Sequence, residues 1–423
     1  VHALRRAGLL PGRQLANPLT AQSKDGIGQR ASERNSMTAP RSDSALTVAV
    51  SGLAALAVAM GIGRFAFTPI LPMMQADHGI SVAQGGWLAS ANYLGYLAGS
   101  LFAMHPRIAA RTAIRIGLVL IAACTLAMGI EHHFAAWFIL RAIPGFASAL
   151  VLIVVSAWIL PRLAHAGRAH LSGTVYAGVG TGIMFAGVAC VVLVRAGASS
   201  DTAWIVLGMT AVGVTIAVWR VLGDESPSGS ELAPADRPHD TVSNWRLVFC
   251  YGAFGLGYII PATFLPVMAK QVIADASLFA WAWPIFGAAA TISTVLAAPL
   301  VRRFSDRNVW ITSNVAMAIG ILVPIALPNL AGIAIAALCV GGTFMVNTMA
   351  GIQEARRVAG VHARALIGAM TSAFAVGQII GPLLVASLVH VPGGFSWALG
   401  ISALPLLVAA YVLYMQNARA AQD

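Results

Sequence analysis

Two arginines, Arg64 and Arg141, stand within long apolar stretches that hold no aspartate, glutamate or histidine to pair with them. A guanidinium offers a planar fork of donors that grips a carboxylate or phosphate through two parallel hydrogen bonds. Such a charge deep in a bilayer costs from about 2.5 to more than about 10 kcal/mol, so it normally faces a bundle interior or a water-filled cavity. The chemistry these residues predict is recognition of a small anion. Each arginine also has a plainer reading, in which the side chain snorkels to the interface or bonds helix-end carbonyls and serves folding alone.

Polar side chains that could complete the site lie on other spans: Asn92, Tyr93 and Tyr96 on the second, Tyr258 on the seventh, Asn347 on the tenth and Gln378 on the eleventh. With the two arginines, Asn92, Tyr96, Tyr258, Asn347 and Gln378 form the candidate substrate-binding set. Each of these five reads either as a ligand or as a hydrogen bond between helices. No nucleophile with a base, and no set of metal ligands, gathers near one membrane face, so no enzyme, cofactor or metal site is expected. The four cysteines, Cys124, Cys190, Cys250 and Cys339, sit singly in apolar runs and read as small core residues. Phe and Met scatter through the spans as ordinary lining.

The elements that must position these groups follow from composition. The chain is 58% hydrophobic and 10% charged, where a soluble domain carries roughly 25% charged residues. It reads as an all-α membrane protein, because the apolar runs are long and barrel strands would be short and alternating. Twelve transmembrane helices are predicted, at 45–74, 83–104, 112–131, 134–160, 171–195, 203–222, 247–269, 278–301, 308–328, 331–353, 365–389 and 394–416. Pro69 and Pro72 are expected to bend or loosen the outer end of the first.

The spans divide into a bundle at 45–222 and another at 246–416, joined by a flexible polar linker at 223–245 and followed by a tail at 417–423. Residues 1–44 are polar and lack an apolar period, so they read as disordered, with a natural start near Met37. Of the basic residues beyond that segment, Arg64 and Arg141 apart, fifteen lie in or beside the even-numbered loops and the tail and two, Arg195 and Lys270, on the other side. That bias places both termini in the cytoplasm. The net charge of +11 therefore follows the membrane and calls for no nucleic acid.

The halves resemble each other. A shift of 194 residues lays Gly61, Gly63, Leu71 and Pro72 over Gly255, Gly257, Leu265 and Pro266, and Arg64 over Tyr258. Nearby shifts align Gly173 and Gly182 with Gly368 and Gly377, and Gly145 with Gly342. Falling in order, these matches indicate duplication into two pseudo-symmetric six-helix bundles. Gly95 and Gly99 read as a close-packing face of the second helix.

The fourth-helix run from Arg141 through Gly145 to Ala149 is similar to a signature of the major facilitator superfamily, as is the glycine-rich fifth helix from Gly173 to Gly187, although its usual Gly-Pro pair is missing. The runs Gly61 to Pro69, Gly341 to Met345 and Gly377 to Pro382 resemble the YbfB/YjiJ-type family of bacterial transporters. The resemblance covers Ala45 to Gln416. It implies a carrier in the bacterial inner membrane that works by alternating access, with helices one, four, seven and ten lining a cavity that both arginines would face. The superfamily's charged loop after the second helix departs from pattern, since Ala103 and Met104 stand where Asp and Arg belong. In the second half Arg302 stands at the corresponding acidic position, with the pair Asp306-Arg307 four residues further on, so the cytoplasmic charge latch is absent or rebuilt and no role is carried over for it.

The predicted function is transport of a small organic anion by a monomer in the lipid bilayer. Coupling to a proton or to an exchanged anion stays open, because the acidic residues and histidines all fall in loops, tails or span ends. Efflux of amphipathic or drug-like compounds is the alternative within transport, and a non-transporting sensor or scaffold the alternative outside it.

Overall fold

The computed structural model describes residues 44–105, 108–221, 244–272, 281–388 and 393–420. The expectations for residues 1–43, for nearly all of the linker and for the last three residues lie outside them. Among the described residues twelve long helices follow one another: α1 (Ala45–His78), α2 (Val82–Ala103), α3 (Ala110–Met128), α4 (Phe134–His165), α5 (Ser172–Arg195) and α6 (Ser200–Val218). Then come α7 (Trp245–Val272), α8 (Ala282–Arg303), α9 (Asp306–Ala326), α10 (Leu330–Ala359), α11 (Ala363–Leu388) and α12 (Gly394–Ala420). Ten stretches among the described residues are long and apolar enough to cross a membrane, one of them, Leu330–Leu384, covering α10 and α11 together.

Local chemistry sets many of the boundaries. The Ser44 and Ser199 hydroxyls accept from the backbone N–H of Thr47 and Thr202, and Ser81 forms a reciprocal capping box with Gln84. Gly79 closes α1 in a left-handed conformation at φ 65°, which a residue without a Cβ adopts at no steric cost. The connections within each half are short, so consecutive helices run antiparallel and residues 44 and 420 end on one face, here called the terminal face.

One helix departs from the expected form. α1 is α-helical over Ala45–Leu56, widens to a π-helix over Ala57–Phe65 and returns to α-helix over Phe67–His78. The disruption expected at Pro69 and Pro72 thus lies earlier in the helix, over Ala57–Phe65, with Gly61 and Gly63 about two to three turns before the prolines. Pro69 occupies the first turn of the last segment, where its missing N–H costs nothing, and Pro72 sits inside a helix that continues.

The duplication is visible as repeated contacts. A Cβ on Gly61 of α1 would meet the Gly182 backbone of α5, and a Cβ on Gly377 of α11 would meet the backbone of Gly252, Gly255 and Leu256 on α7. Between the halves, Gly173 of α5 abuts Ala298 and Thr294 of α8, and Gly368 of α11 abuts Met104 and Ser100 of α2. The seam between α5 and α8 continues through Gly180 against Gly287 and Thr291 to Gly187 against Pro284. On the terminal face the halves are also tied by Ser100 to Ser372 at 2.8 Å, Gln353 to Ser172 at 3.2 Å and Arg364 Nε to the Ala103 carbonyl at 2.8 Å.

Gly95 and Gly99 do face α4, with virtual Cβ positions 2.0 Å from the Ala142 carbonyl oxygen and 2.2 Å from that of Phe146. Gly145 answers from α4, 2.1 Å from the Asn92 oxygen. Its duplicated counterpart Gly342 would meet nothing within 4 Å. Gly145→Ala is therefore expected to lower the unfolding free energy by about 1–3 kcal/mol through forced backbone displacement. Gly342→Ala is expected to be neutral or to stabilise by up to about 1 kcal/mol through helix propensity. Thermal denaturation of the two purified variants checks the contrast.

The acidic residues do not all stay at span ends. α10 runs to Ala359 rather than 353, which buries Glu354 completely. Its carboxylate accepts from Arg307 Nη2 at 2.6 Å and Nε at 3.0 Å, and from Arg357 Nη2 at 2.7 Å and Nε at 2.9 Å. Arg307 Nη1 also donates to Asn417 at 3.2 Å. The charged ties sought after α2 are thus built in the second half, where they fasten α9, α10 and α12.

Candidate functional site

The π-helical stretch of α1 brings Arg64 inward and puts two main-chain carbonyls within reach of neighbouring helices, and breaks of this kind often mark functional positions. Arg141 of α4 uses them: its Nη1 lies 3.5 Å from the Gly63 oxygen and its Nη2 3.3 Å from the Arg64 oxygen. Asn92 of α2 joins the same group, donating to the Arg141 oxygen at 2.9 Å and reaching the Gly63 oxygen at 3.4 Å. The Phe67 ring covers the Arg141 guanidinium, its centroid 4.5 Å away. Arg141 and Asn92 therefore clasp the irregular part of α1, which is the carbonyl-bonding arrangement the sequence left open.

Arg64 is held differently. Its side chain is 3% exposed. Nη2 donates to Oε1 of Gln378 on α11, a hydrogen bond between the two halves. Nε and Nη1 are buried without a partner, as is the Gln378 amide nitrogen. The Tyr96 ring lies against the guanidinium at 3.8 Å, with Tyr93 and Phe65 each at 5.5 Å. Among the described residues no carboxylate forms an ion pair with Arg64 or Arg141.

The expectation that both arginines line an open vestibule needs correction. Between the halves lies a cavity of about 10 Å³, walled by α1, α2, α4, α7, α10 and α11 through Met60, Tyr96, Leu152, Tyr251, Phe344 and Phe374 among others. That is room for about one water, and neither arginine is part of the wall. α1, α4, α7 and α10 do line it as foreseen, joined by α2 and α11. Tyr96 is the shared element, with its ring under Arg64 and its edge on the cavity.

Tyr258, the duplicated counterpart of Arg64, is fully buried and stacked on Phe344, centroids 4.2 Å apart at 14°. It belongs to a ring cluster with Tyr251, Phe254, Phe344 and Phe374. Asn347 is fully buried one turn from Phe344, and its amide has no hydrogen-bond partner. The structure thus brings Arg64, Gln378 and Tyr96 together, places Arg141 and Asn92 behind the backbone of Arg64, and sets Tyr258 in the facing aromatic wall. The phenylalanines are not the ordinary lining that the sequence suggested. The spacing of Tyr251, Phe254 and Tyr258 at i, i+3 and i+7 was the signal that one face of α7 is aromatic.

A second polar group stands on the face opposite the termini. Asp201 accepts from His78 at 2.9 Å and from His132 at 3.2 Å, and Asp77 accepts from the Ser200 N–H at 2.5 Å. His78, His132 and Asp201 offer donor atoms within 4.8 Å of one another, a set that could hold a metal ion. The hydrogen bonds already explain the cluster as a fastening of α1, the α3–α4 loop and α6. The 123 residues between His78 and Asp201 hid it in the sequence.

Comparisons with known proteins agree with this architecture. A family model described as "Uncharacterised MFS-type transporter YbfB" matches residues 56–414. A search of curated proteins finds no match. Among solved structures the chain is similar to the crystal structure of the human organic anion transporter MFSD10 (TETRAN), with a TM-score of 0.70 and 14% identity over 88% of this chain and 99% of that one. At that identity the likeness speaks for the fold alone. Spanning helices, a duplicated twelve-helix arrangement with its contacts between halves, and a family match over most of the length lead to one conclusion: the chain belongs to the YbfB-type family of major facilitator superfamily transporters.

Proposed function

We propose that this transporter carries a small organic anion across the bacterial inner membrane, with both termini in the cytoplasm, and that Arg64 receives the negative charge. The observation that carries the reading is a buried guanidinium at the junction of the halves, with two nitrogens unpartnered and, among the described residues, no carboxylate paired with it. A carboxylate held through two parallel bonds would take Nη2 together with one of those free nitrogens, displacing the Gln378 oxygen. Binding would then part a bond between the halves, which is how cargo can bias the exchange between states that face opposite sides. Arg141 and Asn92 act through the backbone of Arg64 as positioning residues, and Tyr96 braces the guanidinium. Tyr258 and Asn347 stand behind the opposite wall, Tyr258 stacked on Phe344 and Asn347 one turn from it. That the fold is shared with an organic anion transporter is in keeping with this reading.

The aromatic cluster favours a second reading, the export of neutral or cationic amphipathic compounds, which need rings but no receptor charge. Counterflow in proteoliposomes separates the two. Uptake of labelled organic acids that depends on internal unlabelled acid is the expected result, and its response to an imposed pH gradient tells proton coupling from anion exchange. Transport confined to neutral or cationic solutes would overturn the anion reading.

A further inference from the structure

The chemistry around Arg64 also restricts what kind of anion fits. We infer that the cargo is a monocarboxylate with an apolar body, one end held by Arg64 and Gln378 and the other lying against the ring wall; the inference rests on the anion reading above.

Charge sets the first limit. Arg141 turns its two terminal nitrogens to the Gly63 and Arg64 carbonyls and keeps only Nε unpartnered, whereas Arg64 has Nε and the terminal Nη1 both to spare and is the better receptor. A second carboxylate or a phosphate dianion would find no second guanidinium with terminal nitrogens to spare, because Arg141 lies behind the α1 backbone with both of its own engaged, a costly arrangement in so apolar a setting.

Polarity sets the second. The gap beyond Tyr96 is bounded by Met60, Leu152, Met345 and the rings of Tyr251, Phe344 and Phe374. The one threonine there, Thr348, directs its hydroxyl to the Phe344 carbonyl at 3.2 Å. Tyr96, Tyr251 and Thr348 are the hydroxyl-bearing residues of this wall, too few to satisfy the several hydroxyls of a sugar acid, and buried unpaired hydroxyls cost more than apolar contact returns.

Shape sets the third. The Phe344 and Phe374 rings of the wall are backed by Tyr258, which lies nearly parallel to both (14° and 20°), so the far end of the site is a braced aromatic surface suited to an aromatic ring or an acyl chain. At the head, the unpartnered Gln378 amide nitrogen, on a side chain that is fully buried, is a second donor for the same carboxylate. The cavity of about 10 Å³ fits none of these molecules as it stands, so entry requires the halves to part.

The test is a thermal-shift panel on the purified full-length protein, with ligands up to about 10 mM, above the usual range of KM values. Phenylacetate and octanoate are expected to raise the melting temperature by several degrees, and the shift is expected to vanish in Arg64→Met. Phenylacetamide, phenethylamine, succinate and gluconate are expected to leave the wild type unmoved. Equal or larger shifts from succinate or gluconate would overturn the apolar monocarboxylate while leaving an anion carrier standing. Equal shifts from the amide or the amine would overturn both readings. Absence of any shift from phenylacetate and octanoate, or its persistence in Arg64→Met, would overturn the inference.

Discussion

Arg64→Met is expected to remove anion transport while leaving the protein at least as stable as before. Loss of a buried contact between an arginine and a carboxylate typically costs about 2–5 kcal/mol, so transport at limiting substrate should fall by about 30-fold to several thousand-fold. Stability moves the other way because the wild-type residue is a buried charge with no anionic partner. Methionine gives up one hydrogen bond to Gln378 and the stacking on Tyr96, the latter worth up to about 2 kcal/mol when desolvated. It also ends the desolvation of an ion, which amounts to several kcal/mol. Initial-rate counterflow and thermal denaturation of one preparation check both halves of the statement. A variant that unfolds readily and still transports would assign Arg64 to folding.

Gln378→Glu should produce the opposite electrostatics with a similar loss of function. The new carboxylate would stand where the Gln378 oxygen now meets Arg64, a built-in anion occupying the place proposed for cargo. Substrate would then have to displace a tethered competitor, whose effective concentration for a short connection is in the millimolar range or above. The expected result is a loss of about 100-fold or more in affinity for added acid, together with a higher melting temperature, because the buried guanidinium gains a partner. Binding assays and denaturation in the absence of substrate measure the two effects. Unchanged affinity for acids would show that the charge is received elsewhere. Combining Gln378→Glu with Arg64→Met leaves a lone buried carboxylate, so the double variant should be less stable than either single one.

The elements were legible for a simple reason: in a bilayer the backbone must satisfy itself, so length and hydropathy dictate helices. Duplication was legible too, since glycines at contact points cannot be replaced without moving a backbone, and Gly61 with Gly182 reappears as Gly255 with Gly377. That Arg64 and Arg141 are buried among the helices could be read from their spans. Their different partners could not, because Arg141 bonds main-chain atoms that α1 presents only by widening to a π-helix. The two prolines drew attention to the wrong turn for the same reason. Glu354 went unrecognised as buried because three charges in its last turns, Glu354, Arg356 and Arg357, mark a helix end by composition, whereas Arg307 from α9 compensates the carboxylate and lets α10 continue. Partners drawn from distant helices leave no local trace.

The ties on the terminal face, Ser100 with Ser372 and Arg364 with the Ala103 carbonyl, are hydrogen bonds, whereas on the other side Phe65 meets Trp283 and Phe344 through their rings and Arg195 lies over the Trp281 ring at 5.9 Å, a mainly apolar closure. Apolar association weakens on cooling and polar bonds do not share that dependence. The two closures consequently respond unequally to temperature, and chilling favours release on the side away from the chain ends. The glycine seam of α5 and α8, with little side-chain bulk to interlock, offers a bearing about which that release can pivot.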